Sequence, residues 1–344
     1  MSDEALPPAR RSRRGSGAVT LHDVARLAGV APITASRALN TPGQVSPELV
    51  RRVTEAVAST GYVPNRVAGG LASARSRLVA ALVPTIAGPV FLETIQALTD
   101  ALAEAGCQLM LGQSGYGGRR EDALIDTIVG RRPDGIVLTG ILHSAEARRK
   151  LLACGIPVVE TWDLTPTPID MIVGFSHEKV GRAVADFIHA RGHRHPAIVT
   201  ADDHRAGLRR AGFEQRLREL GLDGAADCVV PAPSSLGNGR AGWAELRRQD
   251  QRIDVVVCSS DVLAHGVMTE VQAAGLAVPR DVAVMGFGDM PFASHTYPLL
   301  STVHVDGAEI GRQAARFILD RVDNRDPGPK VRDLGFSIIQ RASV

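Results

Sequence analysis

Hydrophobic residues recur along this chain with two different periods. Between residues 19 and 61 they return at helical spacing, which predicts three short helices. From residue 77 onward, short continuous apolar runs alternate with amphipathic helical stretches. Such runs are typical of parallel strands buried on both faces, so this part is predicted to be a doubly wound α/β core. The predicted strands occupy residues 78–83, 108–111, 135–138, 157–159, 197–200, 254–258 and 282–285.

The three N-terminal helices carry boundary signals. Thr20 can cap the first helix while Asp23 reaches back to it, the arrangement of a capping box. Pro32 stands at the first position of the second helix, where a missing N–H costs nothing, and this helix runs to about Asn40. The third helix ends at Gly61.

The length of 344 residues, with 44% apolar and 22% charged residues, indicates two or three globular units. We expect a disordered basic tail at 1–18, a helical headpiece at 19–62, a hinge or linker at 63–76 and a core at 77–344. The core is long enough for two lobes of ~130 residues each. The second lobe is expected to begin near residues 175–176.

Positive charge is concentrated at the N-terminal end. Residues 1–76 contain ten arginines and five acidic residues, an excess of five positive charges. Because the whole chain carries +2, the remainder carries −3. A basic module on a mildly acidic body favours binding of a polyanion at one end, although residues 10–14 alone could be a solvated basic tail.

Several kinds of chemistry have little support. The four cysteines are widely spaced, and His193 and His195 lack a third ligand at clear spacing, so we expect neither a metal nor a cofactor. No motif of a nucleophilic enzyme is present, which predicts a protein that is not an enzyme. Without a signal-like N-terminus or ~18 uninterrupted apolar residues, the chain is predicted to be cytoplasmic, with no membrane partner.

The first two helices meet at Gly29, a spacing that predicts a helix-turn-helix motif whose second helix enters the major groove of double-stranded DNA. On that helix Pro32, Ile33 and Arg37 should face outward, and Arg37 is the candidate for a bidentate contact to guanine. The polar residues suited to phosphate oxygens are Thr34, Ser36 and Asn40. The alternative is an ordinary helical hairpin packed on the core. Since one such motif makes few base contacts, we expect a homodimer on a palindromic operator.

The chain resembles the LacI/GalR family of bacterial repressors from residue 19 to residue 340. The resemblance rests on residues 19–25, 36–40, 61–68, 191–195 and 286–289. It implies an all-α helix-turn-helix headpiece followed by two α/β lobes of periplasmic-binding-protein type, and a repressor controlled by a small molecule. It also implies DNA contacts from Thr20, Asn65, Arg66, Ala68 and Leu71.

In that family the segment from Asn65 to about residue 73 would be a hinge helix that folds on the operator, with Leu71 wedged into the minor groove. Two features depart from the pattern. Ala31 replaces the usual Ser or Thr cap of the recognition helix, a change that costs about 1 kcal/mol unless Pro32 compensates. Gly69 and Gly70 interrupt the hinge, and each glycine costs about 1 kcal/mol relative to alanine.

The resemblance also implies effector-binding residues in the core. Arg209 matches an arginine that clamps a carboxylate, and Asp261 matches an aspartate that accepts hydrogen bonds from ligand hydroxyls. A surface helix arginine and a helix N-cap are the alternatives for these two. The opposite wall of the effector site, across from Arg209 and Asp261, is expected to include Thr85, Phe91, Tyr116 and Trp162. Tyr116 could instead belong to a plain loop and Trp162 to the core.

Among relatives, residues 156–160, 173–175, 191–195 and 333–336 look most like gluconate-utilisation repressors. That likeness implies a sugar acid as effector, and Arg209 agrees with a carboxylate ligand. Three alternatives stay open: a repressor that senses a neutral sugar or a purine, a solute receptor without a DNA role, and a sugar-processing enzyme with an attached DNA-binding domain.

Overall fold

The computed structural model describes residues 19–63, 75–86, 88–116, 118–249 and 252–344. Contacts divide the chain into one unit that ends at Ser76 and a second that begins at Arg77. Four predicted DNA contacts, Asn65, Arg66, Ala68 and Leu71, lie outside the described residues, as do the glycines at 69 and 70 and the tail at 1–18.

The first unit consists of three helices and a short 3₁₀ turn. They are α1 (Leu21–Ala28), α2 (Pro32–Asn40), the turn Pro42–Gln44, and α3 (Pro47–Thr60). Their inward faces form one small apolar core made of Val24, Ala25, Ala28, Ala35, Ala38, Val53 and Ala56. Small side chains predominate in this core, which lets three short helices pack closely.

Local signals fix the ends of these helices. Thr20 and Asp23 form the predicted capping box at the start of α1. Gly29 ends α1 in the left-handed region at φ 62°, where a residue with a side chain would be strained. The Arg52 side chain on α3 donates to the carbonyl oxygen of Ala28, which satisfies one of the free carbonyls at the end of α1.

The second unit contains two parallel sheets. The first has the order β11-β5-β4-β3-β1-β2 and the second the order β7-β6-β8-β9, while β10 and β12 form an antiparallel pair. The strands are β1 (Leu78–Val83), β2 (Gln108–Gln113), β3 (Gly135–Thr139), β4 (Val158–Thr161), β5 (Met171–Gly174), β6 (Pro196–Ala201), β7 (Ala226–Val230), β8 (Val255–Cys258), β9 (Ala283–Met285), β10 (Thr302–His304), β11 (Val331–Asp333) and β12 (Ser337–Ile339).

Helices connect the strands on both faces of each sheet. They are α4 (Leu92–Glu104), α5 (Gly118–Gly130), α6 (Ala145–Ala153), α7 (His177–Ala190), α8 (His204–Glu219), α9 (Leu236–Gln249), α10 (Asp261–Ala273) and α11 (Gly307–Val322). The chain completes five strands of the first sheet, crosses to the second sheet after β5, and returns so that β11 pairs with β5. The predicted all-α headpiece followed by two doubly wound α/β lobes is confirmed.

The apolar runs predicted seven strands, and the described part of the chain has twelve. The additional strands β5, β10, β11 and β12 are only three or four residues long. The strand β7 is largely half-exposed, so it has no continuous apolar run. Among the described residues, no helix combines the length and the apolar character needed to cross a membrane.

Candidate DNA-binding face and effector cavity

The outer face of α2 carries the side chains predicted to meet DNA. Ile33 is 61% exposed, and Pro32, Arg37 and Asn40 are also exposed. Thr34 and Ser36 are half-buried. Ala35 and Ala38 face the core of the unit. The face opposite these alanines is therefore a row of polar and apolar groups open to a partner.

Arg37 differs from the neighbouring arginines in its contacts. Arg26 pairs with Asp23, and Arg51 pairs with Glu55 at 3.3 Å. Arg37 has no ion-pair partner within the described part of the chain. Its guanidinium can therefore bind an external acceptor without breaking an internal pair.

Three of the predicted DNA contacts, Thr20, Ser36 and Asn40, have local partners. The Thr20 hydroxyl donates to Asp23 Oδ2 at 2.7 Å within the capping box. The Asn40 Nδ2 donates to Ser36 Oγ at 3.3 Å. Ala31, at the N-cap of α2, makes no side-chain hydrogen bond, so the recognition helix begins on Pro32 alone.

The second unit encloses a cavity at the carboxyl ends of the strands of both sheets, where open α/β sheets bind ligands. An outer chamber of about 480 Å³ adjoins an inner chamber of about 70 Å³. Tyr116, Asp203 and Arg205 line both chambers. The inner chamber also contains Thr85, Phe91, Trp162, His177, Arg209, Ser259, Ser260 and Phe287.

Aromatic rings form the wall of the inner chamber. The Trp162 ring lies 5.3 Å from the Phe91 ring and 6.0 Å from the Phe175 ring, both nearly perpendicular to it. Its indole N–H donates to Thr94 Oγ1 at 3.0 Å. Trp162 is thus both a core residue and a lining residue, and its place is fixed before any ligand binds.

Arg209 projects from α8 into the inner chamber. Its Nη1 donates to His177 Nδ1 at 2.9 Å, its Nη2 donates to the Ser259 carbonyl oxygen at 3.0 Å, and its guanidinium lies 3.9 Å from the centre of the Phe287 ring. The Arg209 Nε is buried without a hydrogen-bond partner in the described part of the chain. Burial lowers the pKa of Arg209 to about 10, so the group remains charged at neutral pH.

His177 supports this arrangement as a neutral ring. Burial, together with the adjacent charge of Arg209, holds the pKa of His177 well below its ordinary value. Its Nε2 lies 2.9 Å from the carbonyl oxygen of Trp162, so Nε2 carries the proton and Nδ1 accepts from Arg209. His177 therefore links the end of β4 to α8.

Close packing of α7 on α8 sets the direction of Arg209. A Cβ atom at Gly181 would lie 2.0 Å from the Arg209 carbonyl oxygen, and one at Gly212 would lie 2.3 Å from the Glu178 carbonyl oxygen. Only glycine permits this approach at either position. The two helices therefore cross at backbone contact, directly beneath the candidate site.

Asp163 brings an acceptor to the same cavity from the end of β4. Its Oδ1 accepts from the Leu164 N–H at 2.8 Å, while its Oδ2 is buried without a partner among the described residues. Burial raises the pKa of Asp163. One cationic donor on Arg209 and one carboxylate acceptor on Asp163 are therefore both left unsatisfied in cavity-lining residues.

Comparison with known proteins finds a family match in each of the two units. Residues 20–65 match the bacterial regulatory proteins of the lacI family, and residues 185–344 match a periplasmic binding protein-like domain. The HTH-type transcriptional regulator GntR of Pseudomonas aeruginosa is 37% identical over 97% of this chain and 98% of its own length. This chain belongs to the LacI family.

Solved structures show the same architecture for this LacI-family chain. A LacI-family transcriptional regulator from Silicibacter pomeroyi superposes with a TM-score of 0.89 and 31% identity, covering 94% of this chain and 99% of the other. The lac repressor dimer bound to operator and the anti-inducer ONPF superposes with a TM-score of 0.81 at 24% identity, covering 95% and 99%. The chain is a DNA-binding transcriptional regulator with a periplasmic-binding-protein-like core.

The structure brings five of the six predicted effector residues together at the cavity of this LacI-family core: Thr85, Phe91, Tyr116, Trp162 and Arg209. It does not bring Asp261 there. Asp261 is 0% exposed, its Oδ1 accepts from Thr302 Oγ1 at 2.6 Å, and its Oδ2 accepts from the Met290 N–H at 2.7 Å.

Both Asp261 oxygens therefore serve internal contacts, and burial raises the pKa of this carboxyl to about 6. The N-cap of α10 is Ser260, which does line the cavity.

Sequence reasoning missed several residues of the site. Asp163, Asp203 and Ser259 each follow the end of a parallel strand by one or two residues. Position relative to the strand ends is the sequence signal that these three residues share. The role of His177 had no such signal, because its partners Trp162 and Arg209 are distant in sequence.

Proposed function

We propose that this LacI-family protein is a repressor that binds a palindromic operator as a homodimer and is controlled by a sugar acid of the gluconate class. On the DNA side, the proposal is supported by the exposed outer face of α2. Arg37 would read a guanine edge, Ile33 would contact an apolar base edge, and Thr34 would contact a phosphate. The lac repressor, whose fold this chain shares, is described as a dimer bound to operator.

The observation that carries the effector proposal is that two residues with an unpaired buried polar atom line adjoining chambers of one cavity: the charged Arg209, through its Nε, and Asp163, through its Oδ2. Buried polar groups are costly unless they are hydrogen-bonded. A ligand carboxylate would pair with the Arg209 guanidinium while ligand hydroxyls donate to Asp163, whereas a neutral sugar would make no charge-assisted contact with Arg209. The outer chamber, at about 480 Å³, falls in the size range of small-ligand sites.

Control of DNA binding follows from the position of the cavity. Its lining comes from the strand ends of both sheets, so a bound ligand has different contacts when the sheets are closer together or further apart. A ligand shifts an equilibrium only through such differential contacts. We propose that the protein acts by binding rather than catalysis, in the cytoplasm where the operator is accessible.

The operator proposal can be tested with fluorescence anisotropy on DNA fragments from the protein's own genomic neighbourhood. Arg37→Ala should weaken binding about tenfold to a hundredfold, the cost of losing a bidentate base contact. Arg51→Ala is the matched control, since it removes an arginine from α3 of the same unit and should change affinity about threefold at most. Affinity of the unaltered protein should fall steeply between about 50 and 200 mM salt. Failure to bind any fragment would overturn the operator proposal.

The effector proposal can be tested by calorimetry with gluconate, glucose and a purine. Gluconate should bind, and Arg209→Gln should weaken it at least about thirtyfold because a charge-assisted pair is lost. Arg210→Gln is the control, because Arg210 is the next residue but pairs outward with Glu214 and Asp227. Glucose or purine binding as tight as that of gluconate would overturn the assignment to a sugar acid.

A further inference from the structure

A buried cluster of one histidine and two glutamates lies beside the outer chamber. His143 Nδ1 lies 2.9 Å from Glu121 Oε1, and His143 Nε2 lies 3.5 Å from Glu160 Oε1. The His143 side chain is 2% exposed and Glu160 is 0% exposed. The Glu160 Oε2 accepts from the Ile169 N–H at 2.6 Å. Three separate segments therefore meet at this cluster: the first turn of α5, the loop after β3, and β4.

The cluster carries a net negative charge. Burial alone would lower the pKa of His143, but the hydrogen bond to Glu121 and the charges of Glu121 and Glu160 outweigh it and raise the pKa to about 9. His143 is therefore a cation at neutral pH between two carboxylates. Buried ions of this kind rarely improve stability over apolar residues of similar size. The strand β4 places apolar Val158 and Val159 immediately before Glu160, so an apolar residue would suit the strand equally well.

Glu121 is the member of the cluster that reaches the cavity. It lines the outer chamber, and its Oε1 is held by His143. Its Oε2 has no hydrogen-bond partner within the described part of the chain. His143 thus holds the Oε1 of Glu121 in place, and the Oε2 is available to a ligand.

The two ends of the cavity differ in charge. Asp203 and Arg205 line both chambers and so do not distinguish them, whereas Arg209 lines only the inner chamber, and Glu121, Asp163 and Asp202 line only the outer one. A ligand carboxylate is attracted to Arg209 and repelled by the negative cluster at Glu121. The hydroxyl-bearing tail of a sugar acid would then extend outward toward Glu121, where a carboxylate oxygen accepts a hydrogen bond from a hydroxyl.

We infer that Glu121 accepts hydrogen bonds from the distal hydroxyls of the effector and so selects the chain length of the sugar acid, with His143 and Glu160 as its positioning residues. This inference rests on the proposed binding of a sugar acid with its carboxylate at Arg209. It assigns Glu121 to the site by geometry, through its place on the outer wall and the rigid support behind it.

The test is calorimetry of the full-length protein with straight-chain sugar acids of six, five, four and three carbons, from gluconate to glycerate. Sugar acids that bind too weakly for direct titration are measured by their displacement of gluconate. In the unaltered protein, affinity should rise with chain length. Glu121→Gln should weaken gluconate about tenfold, the value of one hydrogen bond to a charged group, and change glycerate less than about twofold. The selectivity between the two acids should therefore collapse.

Two further variants separate positioning from general damage. Asp122→Asn is the matched control, since Asp122 is the next residue, accepts from Ser144 Oγ at 2.7 Å and does not line the cavity. It should leave the selectivity unchanged. His143→Gln should reduce the selectivity in the unaltered background and add nothing in the Glu121→Gln background, because it acts through Glu121.

The possible failures can be told apart. If the unaltered protein binds gluconate but Glu121→Gln weakens all chain lengths equally, or weakens none, the inference about Glu121 is wrong and the proposed function stands. If the unaltered protein binds no sugar acid, the proposed function is wrong and the inference falls with it.

Discussion

The cation at His143 should make the stability of the core depend on pH in a defined window. The perturbation is His143→Gln, which removes the titrating group and keeps a side chain of similar size. The pKa of His143 is raised from 6.5 in the unfolded chain to about 9 in the folded one. The folded state therefore holds this proton more tightly, and the resulting stabilisation is fully present below pH 6.5 and lost as pH rises through about 9.

The magnitude follows from the shift. One pKa unit corresponds to about 1.4 kcal/mol, so the unaltered protein should lose roughly 2 to 3 kcal/mol of this stabilisation between pH 7 and pH 10. Buried thiols also affect stability in this range, since burial raises the pKa of Cys258. Because His143→Gln leaves those thiols in place, the difference between the two proteins isolates His143.

Urea unfolding followed by tryptophan fluorescence can measure this difference. The chain has two tryptophans, Trp162 and Trp243, and both lie in the second unit, so the signal reports on the core alone. The gap in unfolding free energy between the unaltered protein and the variant should be large at pH 7 and should narrow by roughly 2 to 3 kcal/mol at pH 10. A gap that stays constant across this range would refute the protonated state of His143.

Three other outcomes follow from the packing and the caps. Gly181→Ala should destabilise the core by about 3 kcal/mol in thermal unfolding, because its Cβ would lie 2.0 Å from a backbone oxygen, whereas Gly237→Ala, with its nearest atom at 3.9 Å, should be neutral or stabilising. Asp261→Asn should lower the melting temperature yet keep gluconate affinity within about threefold in calorimetry, since Asp261 has only internal partners; loss of binding by a folded variant would return it to the site. Thr20→Ala should destabilise the first unit by about 1 kcal/mol in thermal unfolding followed by circular dichroism, and an unchanged transition would mean that the capping box contributes nothing.

The sequence alone determined the features that depend on neighbours along the chain. The helices of the first unit could be located from Thr20, Pro32 and Gly61, since caps and breakers act within one turn. The outward direction of Arg37 follows from the helical period. The strands with continuous apolar runs could be located equally well, because a strand that is buried on both faces is apolar at every position. Short edge strands such as β11 were not, since three residues carry too little periodicity.

Only the tertiary structure decided which polar side chains share the cavity. Asp163 and Arg209 lie 46 positions apart in sequence and come together because the strand ends of two sheets meet at one place. Asp261 also follows a strand end, yet both of its carboxylate oxygens accept hydrogen bonds from internal donors. No sequence pattern distinguishes such a carboxylate from one that lines the cavity. The pairing of His143 with Glu121 and Glu160 likewise needs three segments to pack. Interactions across such distances are set by packing, which local patterns cannot encode.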